Sequence, residues 1–495
     1  MKHLLSRLTV FVVLLFLLSG CTPVGEQPPT GPIVLSDELL TLLETVNAEH
    51  KAIVKPEIDE AAIIKRWARD ISKYTLDYQI AGSMTNGVLT AQQAKNDVNV
   101  LFHYLQTKYG LYEYFGGDEV FDAAREAAIL EACDAAGTLT PDELASILVS
   151  NLSFIDDAHF TIADQQVSGK VLPFHYRDVA FAKTENGYRT VTGNKCVVSV
   201  DGYEDLEALF RRSIASDGSI VYYPIVLARR TMQERKVNPD FTPGDLKIHY
   251  DDGTTQTLSA IPFRLGSDGE KAVVELYKNQ SVPVLFSREM GFDEAGDPDG
   301  QAFLAYAEKL KNEPMLFLDL RSNAGGNATL PYKWLQSYTG ASVTSNSYTI
   351  CQNPSAPGGR FYVSPHTLTE VLGSHEIGGG LTVGEGQPDS FVRNDNLIIV
   401  LMGKNTASAA ESFVDLLHNV ENVLFVGDNT SGCLIGSAGK PAKLPCSLIP
   451  VQLGETMRIF PEGEHFEEMR GFFPDLWVPA AQAEELALKL ILNSK

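Results

Sequence analysis

Hydrophobic patterning divides the chain into a helical first part, a β-rich middle and a mixed last part. Between about residues 36 and 165, apolar positions recur at helical spacing, as Leu101 and Leu105 do in DVNVLFHYLQTKYG. From about 166 to 280 the runs are short and rich in β-formers, for example KCVVSVDG and LKIHYDDGTTQTL, which predicts a smaller β-rich domain. In residues 281–495, strand-like MLFLDL and LIIVLM alternate with helical segments, so this part is predicted to be an α/β domain.

The first 21 residues have the pattern of a secretion signal. Lys2 and Arg7 precede an apolar stretch that is too short for a good membrane-spanning helix. The stretch ends in LSGC, which resembles the lipobox of bacterial lipoproteins and implies lipidation of Cys21. An ordinary signal with a chance cysteine is the alternative. Residues 22–35 are rich in Pro and Gly and are predicted to tether the body to the extracytoplasmic face of a bacterial cell membrane.

Charge and cysteine usage exclude several classes of partner and site. The formal net charge of −23 argues against nucleic acid, because no basic excess is available to neutralise phosphates. Beyond Cys21 the five cysteines form no CxxC pair, and HExxH is absent from the sequence, so neither a metal nor another cofactor is predicted. A bond between Cys433 and Cys446 stays open.

A serine between alanines follows the strand-like run LIIVLM. In KNTASAAES, Ser408 falls in the first turn of the helix that the apolar spacing of FVDLLHNV predicts. Free N–H groups and the helix dipole favour an anion there, which suits a nucleophile and its oxyanion. Serine is also favoured near helix starts for capping alone, so both interpretations stay open.

Three other stretches carry residues that suit a serine nucleophile. In LFLDLRSNAGGNATL, Gly325 and Gly326 follow a strand and could supply an oxyanion N–H, or simply form a tight turn. His159 in IDDAHFTIAD has the side chain that most often serves as a general base. In FEEMRGFFPDLWVP, Glu467 or Glu468 could orient an imidazole and stabilise its charged form.

Taken together, the four stretches resemble the C-terminal processing (tail-specific) peptidases and their relatives of the tricorn core. LFLDLRSNAGG, NTASAAE, VLFVGDNTSG and RGFFPDLWV match the family's motifs in the family's order. The resemblance implies a crotonase-like β-β-α spiral with Ser408 as nucleophile. It also implies an oxyanion hole from the amides of Ala409 and the Gly325-Gly326 loop. The segment VVSVDGYEDLEALF resembles part of a PDZ module, so the middle domain is expected to be a degenerate PDZ-like unit.

One departure from the family concerns the base. The processing-peptidase branch has a lysine within Thr-x-Gly-Lys-Gly, whereas TSGCLIG puts Cys433 in that place. The tricorn-like branch instead uses a histidine from the helical part and a glutamate near the end of the catalytic domain. That branch implies His159 as base and Glu468 as its orienting carboxylate, with Glu467 as the rival; Lys404 and Lys440 are less favoured bases.

These expectations combine into a membrane-tethered, extracytoplasmic serine peptidase. It would cleave a peptide or protein substrate through an acyl-enzyme, without metal or cofactor. The alternative is a catalytically inactive lipoprotein that binds a peptide or another ligand on the same fold.

Overall fold

The computed structural model describes most of the chain after the expected tether. The described residues are 34–53, 62, 66–67, 73–77, 79, 84, 86–135, 139–265, 272–291, 297–353, 360–362, 374–377, 381–384, 391–439, 441–461, 463 and 465–493. The predicted signal peptide, Cys21, nearly all of the tether and Lys440 lie outside them. Within the described part, no helix has the length and apolarity needed to cross a membrane.

Helices and strands are named in chain order. The helices are α1 (Asp37–Lys51), α2 (Ala91–Lys108), α3 (Gly117–Asp134), α4 (Pro141–Asn151), α5 (Leu206–Leu209), α6 (Met232–Val237), α7 (Pro298–Leu310), α8 (Thr329–Thr339), α9 (Ala409–Leu417) and α10 (Ala483–Leu492). The strands are β1 (Thr161–Ile162), β2 (Gln165–Gln166), β3 (Lys170–His175), β4 (Phe181–Thr184), β5 (Gly187–Thr190), β6 (Val197–Val200), β7 (Phe210–Ile214), β8 (Ile220–Arg230), β9 (Leu246–Tyr250), β10 (Thr255–Leu258), β11 (Val274–Asn279), β12 (Val282–Ser287), β13 (Met315–Asp319), β14 (Tyr348–Asn353), β15 (Arg360–Tyr362), β16 (Ser374–Ile377), β17 (Leu381–Gly384), β18 (Leu397–Met402), β19 (Val423–Gly427), β20 (Ala442–Lys443), β21 (Pro450–Gln452), β22 (Thr456–Ile459) and β23 (Leu476–Trp477).

A six-stranded sheet forms the centre of the molecule. Its order is β11-β12-β13-β18-β19-β23, with β11 antiparallel to β12 and all other neighbours parallel. Every residue of β13, β18 and β19 is buried. A parallel sheet is covered on both faces, which is why these strands are continuous apolar runs rather than alternating ones.

Side chains of the central strands alternate between two hydrophobic cores. Leu316 and Leu318 of β13 face the core that α2–α4 and α7–α9 share, whereas Met315 and Phe317 face the core under α1 and α10. The period of two along each strand therefore fixes which helices cover which face.

The β-rich middle has its own core between two small sheets. One sheet has the order β3-β8-β4-β5 with β7 also paired to β8, and the other is β10-β9-β6. Leu172, Phe174, Phe210 and Ile248 are among the side chains they bury. Strand β11 lies within the range 166–280 that the sequence assigns to this domain, yet it pairs with β12 in the central sheet.

The predicted α/β class is confirmed by this arrangement. The exact domain boundaries and the PDZ-like character of the middle domain remain predictions. Cys433 and Cys446 are both free thiols, so the bond left open between them is not formed.

Candidate active site

Ser408 stands at a strained turn between β18 and α9. The turn is fixed by Thr406, whose hydroxyl donates to the Leu320 carbonyl and accepts from the Gly403 amide. Ser408 then adopts φ 55° and ψ −117°, a conformation that non-glycine residues rarely occupy. Such backbone strain persists only where the surroundings impose it, and it is concentrated at functional sites.

His159 approaches this serine from the loop after α4. Its Nε2 lies 3.2 Å from Ser408 Oγ, within reach for proton transfer. The loop is held by Asp157, whose carboxylate accepts the His159 backbone N–H at 2.9 Å and the Tyr109 hydroxyl at 2.8 Å. The buried Asp157 carboxylate therefore ties the loop of His159 to Tyr109, which follows α2.

The imidazole is neutral at ordinary pH. Burial, and secondly the positive charge of Lys170, lower the pKa of His159 to about 4. The Gly436 backbone opposes this shift, although Nδ1 makes no hydrogen bond of normal geometry with a described residue. A neutral imidazole can accept a proton from serine, which is what a general base must do.

Glu468, which the resemblance implies as the orienting carboxylate, makes its hydrogen bonds to backbone amides and not to the imidazole. Its carboxylate is buried and accepts three backbone N–H groups at 2.9 Å, from Ala158, Leu434 and Ile435. Burial, and next the charge of Asp157, raise the pKa of Glu468 well above its ordinary value. Glu468 therefore fastens the loop before His159 to the segment after Cys433.

The rival residues have other partners. Glu467 is largely exposed and pairs with Arg470 at 3.2 Å. Lys404 is buried with its ammonium against four carbonyl oxygens, the nearest being that of Thr430 at 2.6 Å. These hydrogen bonds tie the segment after β19 to the segment around Met469 and Arg470.

The predicted oxyanion loop lies directly against Ser408, but Gly325 is not a free donor. Its N–H donates to Asn323 Oδ1 at 3.0 Å. A Cβ on Gly325 would stand 2.8 Å from both the Ala407 carbonyl oxygen and Ser408 Cβ, so only glycine permits this approach. Within the described residues, the N–H groups of Gly326 and Ala409 have no hydrogen-bond partner, which leaves them as the candidate donors.

Sequence reasoning missed Glu411. This side chain is fully buried and accepts four hydrogen bonds, two at each carboxylate oxygen. The donors are the amides of Ser408, Gly432 and Cys433 and the Thr430 hydroxyl, so the nucleophile's own backbone is tied to the segment after β19. The glutamate that ends NTASAAE was the available signal, but its partners could not be read from the sequence.

Cys433 is the second residue whose place was not foreseen. Its Sγ lies 3.4 Å from His159 Nε2, the same nitrogen that faces Ser408. The thiol is buried in a small apolar cluster with Ala158, Ala407 and Met469. Burial, and secondly the charge of Glu468, raise the pKa of Cys433 well above its ordinary value, so the group is a thiol rather than a thiolate.

Comparisons with known proteins find one family-model match and several similar solved structures. Residues 289–477 match the model of "Peptidase family S41", and no curated protein sequence matches the chain. Among solved structures, mature CPAF complexed with lactacystin is similar over 82% of this chain and 99% of its own, with 15% identity and a TM-score of 0.42. The photosystem II D1 C-terminal processing protease is 12% identical over 81% of this chain and 97% of its own, with a TM-score of 0.36. The tricorn protease is 10% identical over 82% of this chain and 37% of its own, with a TM-score of 0.36.

Proposed function

We propose that the chain cleaves peptide bonds through Ser408 and His159. The premise is that residues 289–477 belong to peptidase family S41 and that the chain is a serine-type peptidase. The observation that carries the assignment is the 3.2 Å contact between Ser408 Oγ and His159 Nε2 at the start of α9. The tricorn-like branch, with histidine in place of the family lysine, is the branch that this pair supports. Glu468 enters the proposal as the residue that positions the loop of His159.

The reaction follows from the positions of these groups. His159 takes the proton of Ser408 as the serine oxygen bonds to the peptide carbonyl carbon, and it then gives that proton to the leaving amine. The oxyanion lies against the N–H groups of Gly326 and Ala409, each worth about 3 kcal/mol of transition-state stabilisation. Water then attacks the acyl-enzyme with His159 again as base, which releases the acid product and regenerates Ser408.

A cavity in the middle domain supports action on free C-terminal ends. The cavity is about 270 Å³ and has walls that include Leu172, Phe174 and Phe241. Arg235 also lines it, and its buried Nε has no hydrogen-bond partner among the described residues. Arg230, a further lining residue, adds a second guanidinium, stacked 3.9 Å from the Phe241 ring. Apolar walls with the Arg235 guanidinium fit an apolar last residue and its carboxylate, whereas Arg230 is already paired with Glu234.

This part of the proposal is tested with matched peptides. A peptide with an apolar last residue should be cleaved better as the free acid than as the C-terminal amide, by at least about tenfold in kcat/KM, since a lost charge-assisted hydrogen bond costs about 1.5–3 kcal/mol. Arg235→Gln should remove most of that preference. Equal cleavage of acid and amide would refute tail recognition without touching the peptidase assignment.

The lipid anchor is proposed from LSGC alone. Cys21 would carry the lipid, and residues 22–35 would hold the catalytic body outside the membrane on the extracytoplasmic face. Metabolic labelling with an alkyne fatty acid in a bacterial host should mark the wild-type chain and not Cys21→Ser. Label retained by the variant would refute lipidation at Cys21.

The nucleophile and base are tested with a fluorophosphonate probe on the full-length chain. Mass spectrometry should locate the label on Ser408, and His159→Gln should slow labelling by at least about a hundredfold, the lower range for general-base catalysis. A folded wild-type chain that takes no label would favour the alternative, a peptide- or ligand-binding protein on a peptidase fold. Label on Ser408 that survives His159→Gln would mean that another group is the base.

A further inference from the structure

Two cationic side chains beside the catalytic residues have no acidic partner. Lys170, the first residue of β3, donates from Nζ to the hydroxyl of Ser431. Arg458 of β22 donates from Nη1 to Ser412 Oγ at 3.0 Å. Across the part of the chain that the structure describes, neither cation lies within ion-pair distance of a carboxylate. The proposed mechanism uses neither of them.

A cation without an acidic partner stands out in this chain. The sequence has 63 acidic residues against 40 lysines and arginines, so acidic partners are plentiful. Other cations close by in the fold have found one: Arg470 pairs with Glu467 at 3.2 Å, and Arg229 pairs with Asp156 at 2.6 Å. Lys170 and Arg458 are both partly buried, and a buried charge is costly when it has no partner. The two positions therefore indicate an anion that comes from outside the chain.

Lys170 is held against the segment that contacts the base. Its partner Ser431 precedes Cys433 by two residues, and Cys433 Sγ lies 3.4 Å from His159 Nε2. After burial, the charge of Lys170 is the next cause of the lowered pKa of His159, so the ammonium acts on the imidazole itself. In the proposed reaction His159 gives its proton to the leaving amine, so the leaving part of the substrate passes this imidazole.

Arg458 reaches the same imidazole from the helix of the nucleophile. Ser412, which accepts from the guanidinium, donates its own backbone N–H to the Ser408 carbonyl at 2.9 Å. The Arg458 backbone N–H donates to the Ile435 carbonyl at 2.8 Å, in the segment after Cys433. Burial and the nearer cation are larger causes, but the charge of Arg458 also lowers the pKa of His159. Two positive charges from different strands thus act on one base.

We propose that Lys170, supported by Arg458, selects substrates with an aspartate or glutamate as the first residue after the cleaved bond. The carboxylate of that residue accepts a charge-assisted hydrogen bond from the ammonium and is the anion that the chain does not supply. The carboxylate at the end of the substrate is assigned to Arg235, so the one at Lys170 belongs to a side chain. Lys170 is a specificity-determining residue and takes no part in bond cleavage. The inference rests on the proposed function, because it names the substrate class of the same site.

The specificity is tested on the full-length chain with two peptides that differ only in Glu or Gln after the cleaved bond. Mass spectrometry of a peptide mixture digested by the wild type first locates a cleaved bond on which to build the pair. The Glu peptide should be cleaved with at least about tenfold higher kcat/KM, because the charge-assisted hydrogen bond is the stronger one. Lys170→Gln should reduce this ratio to about two or less, whereas Lys170→Arg, which keeps the charge, should retain most of it.

The ratio separates recognition from any general effect of the substitution. A change in folding or in the pKa of His159 would alter the cleavage of both peptides together. Lys195→Gln is the matched control, because that lysine is also in the β-rich middle but already pairs with Asp252 at 2.9 Å; its ratio should equal that of the wild type. Arg458→Gln should lower the ratio by less than Lys170→Gln, and an unchanged ratio would remove Arg458 from the site. Equal kcat/KM for the two peptides, or an unchanged ratio in Lys170→Gln, would overturn the proposal.

A binding measurement keeps this inference separate from catalysis. A random peptide library, amidated so that Arg235 has no terminal carboxylate to bind, is selected on the folded Ser408→Ala chain. The selected peptides should be enriched in Asp or Glu at one fixed position, and adding Lys170→Gln should remove that enrichment. If the wild type takes no fluorophosphonate label, the proposed function fails, but the selection still decides whether Lys170 recognises an acidic side chain. A selection that is the same with and without Lys170 would overturn the inference.

Discussion

Replacing the Glu411 carboxylate by an amide should loosen the whole catalytic turn. In Glu411→Gln one of the two oxygens becomes an NH₂ group, which cannot accept hydrogen bonds. Two of the four donors around Glu411 then lose their acceptor while they stay buried. Each unsatisfied buried donor costs about 1–3 kcal/mol, so the change should lower the free energy of unfolding by about 2–6 kcal/mol.

Two further effects modify this value in opposite directions. Removing a buried charge relieves desolvation, which is the largest cause of the raised pKa of Glu411. Lys404, whose charge opposes that rise, loses its nearby anion. We expect a net loss of about 3 kcal/mol, a large part of the roughly 5–15 kcal/mol that stabilises a native domain.

Urea unfolding followed by intrinsic fluorescence measures this loss, and fluorophosphonate labelling reports the state of Ser408. The control is Glu467→Gln, because Glu467 is largely exposed and its pair with Arg470 is worth about 1 kcal/mol at most. If Glu411→Gln unfolded at the same urea concentration as Glu467→Gln and labelled at the wild-type rate, the carboxylate would not be the brace of this turn.

Three other changes test the site and its surroundings. Gly325→Ala should reduce the rate of Ser408 labelling at least about a hundredfold while the chain stays folded. The new Cβ would stand 2.8 Å from the Ala407 carbonyl oxygen and from Ser408 Cβ, and φ at this position is 104°. Labelling at the wild-type rate would contradict the close approach. The wild-type labelling rate should stay constant from pH 7 to 5. At lower pH it should fall with a midpoint near pH 4, where His159 becomes charged. A midpoint near pH 6.5 would mean that the imidazole is not desolvated. Burial, and then the charge of His50, lower the pKa of His418 well below 6.5. The unfolded chain therefore binds this proton first, and the free energy of unfolding falls as pH drops below 6.5, by up to about 1.4 kcal/mol per pH unit. The free energy of unfolding of His418→Phe should depend less steeply on pH between 6.5 and 5, and the same steepness as the wild type would contradict the burial argument.

The fold was predictable where burial leaves a local pattern. The continuous apolar runs of β13, β18 and β19 indicate strands covered on both faces, and these strands are the centre of the sheet. The pairing of β11 with the central sheet was not predictable, because an alternating strand carries no mark of which sheet it joins. The sequence of α1 likewise does not indicate that this helix covers the face of the sheet opposite to α2–α4.

Ser408 and His159 could be picked out from the sequence, whereas the hydrogen bonds that hold their loops in place could not. The family motifs indicated Ser408, the resemblance to the tricorn-like branch indicated His159, and the structure puts Ser408 Oγ and His159 Nε2 3.2 Å apart. Apart from the Thr430 hydroxyl, the partners of Glu468 and Glu411 are backbone amides, one of them 310 residues away, and a backbone amide is the same at every position of a sequence. The contact of Cys433 with the imidazole likewise depends on how two loops fold back on one turn.

The long separation of the reacting side chains has a consequence for how the protein is made. A ribosome synthesises His159 first, Ser408 follows 249 residues later, and Glu468 comes 310 residues after Ala158, whose amide it accepts. A growing chain thus holds a base without a nucleophile, and then both without the carboxylate that fastens their loops. On the proposed function, the site is therefore complete only after residues up to Glu468 have been synthesised and folded.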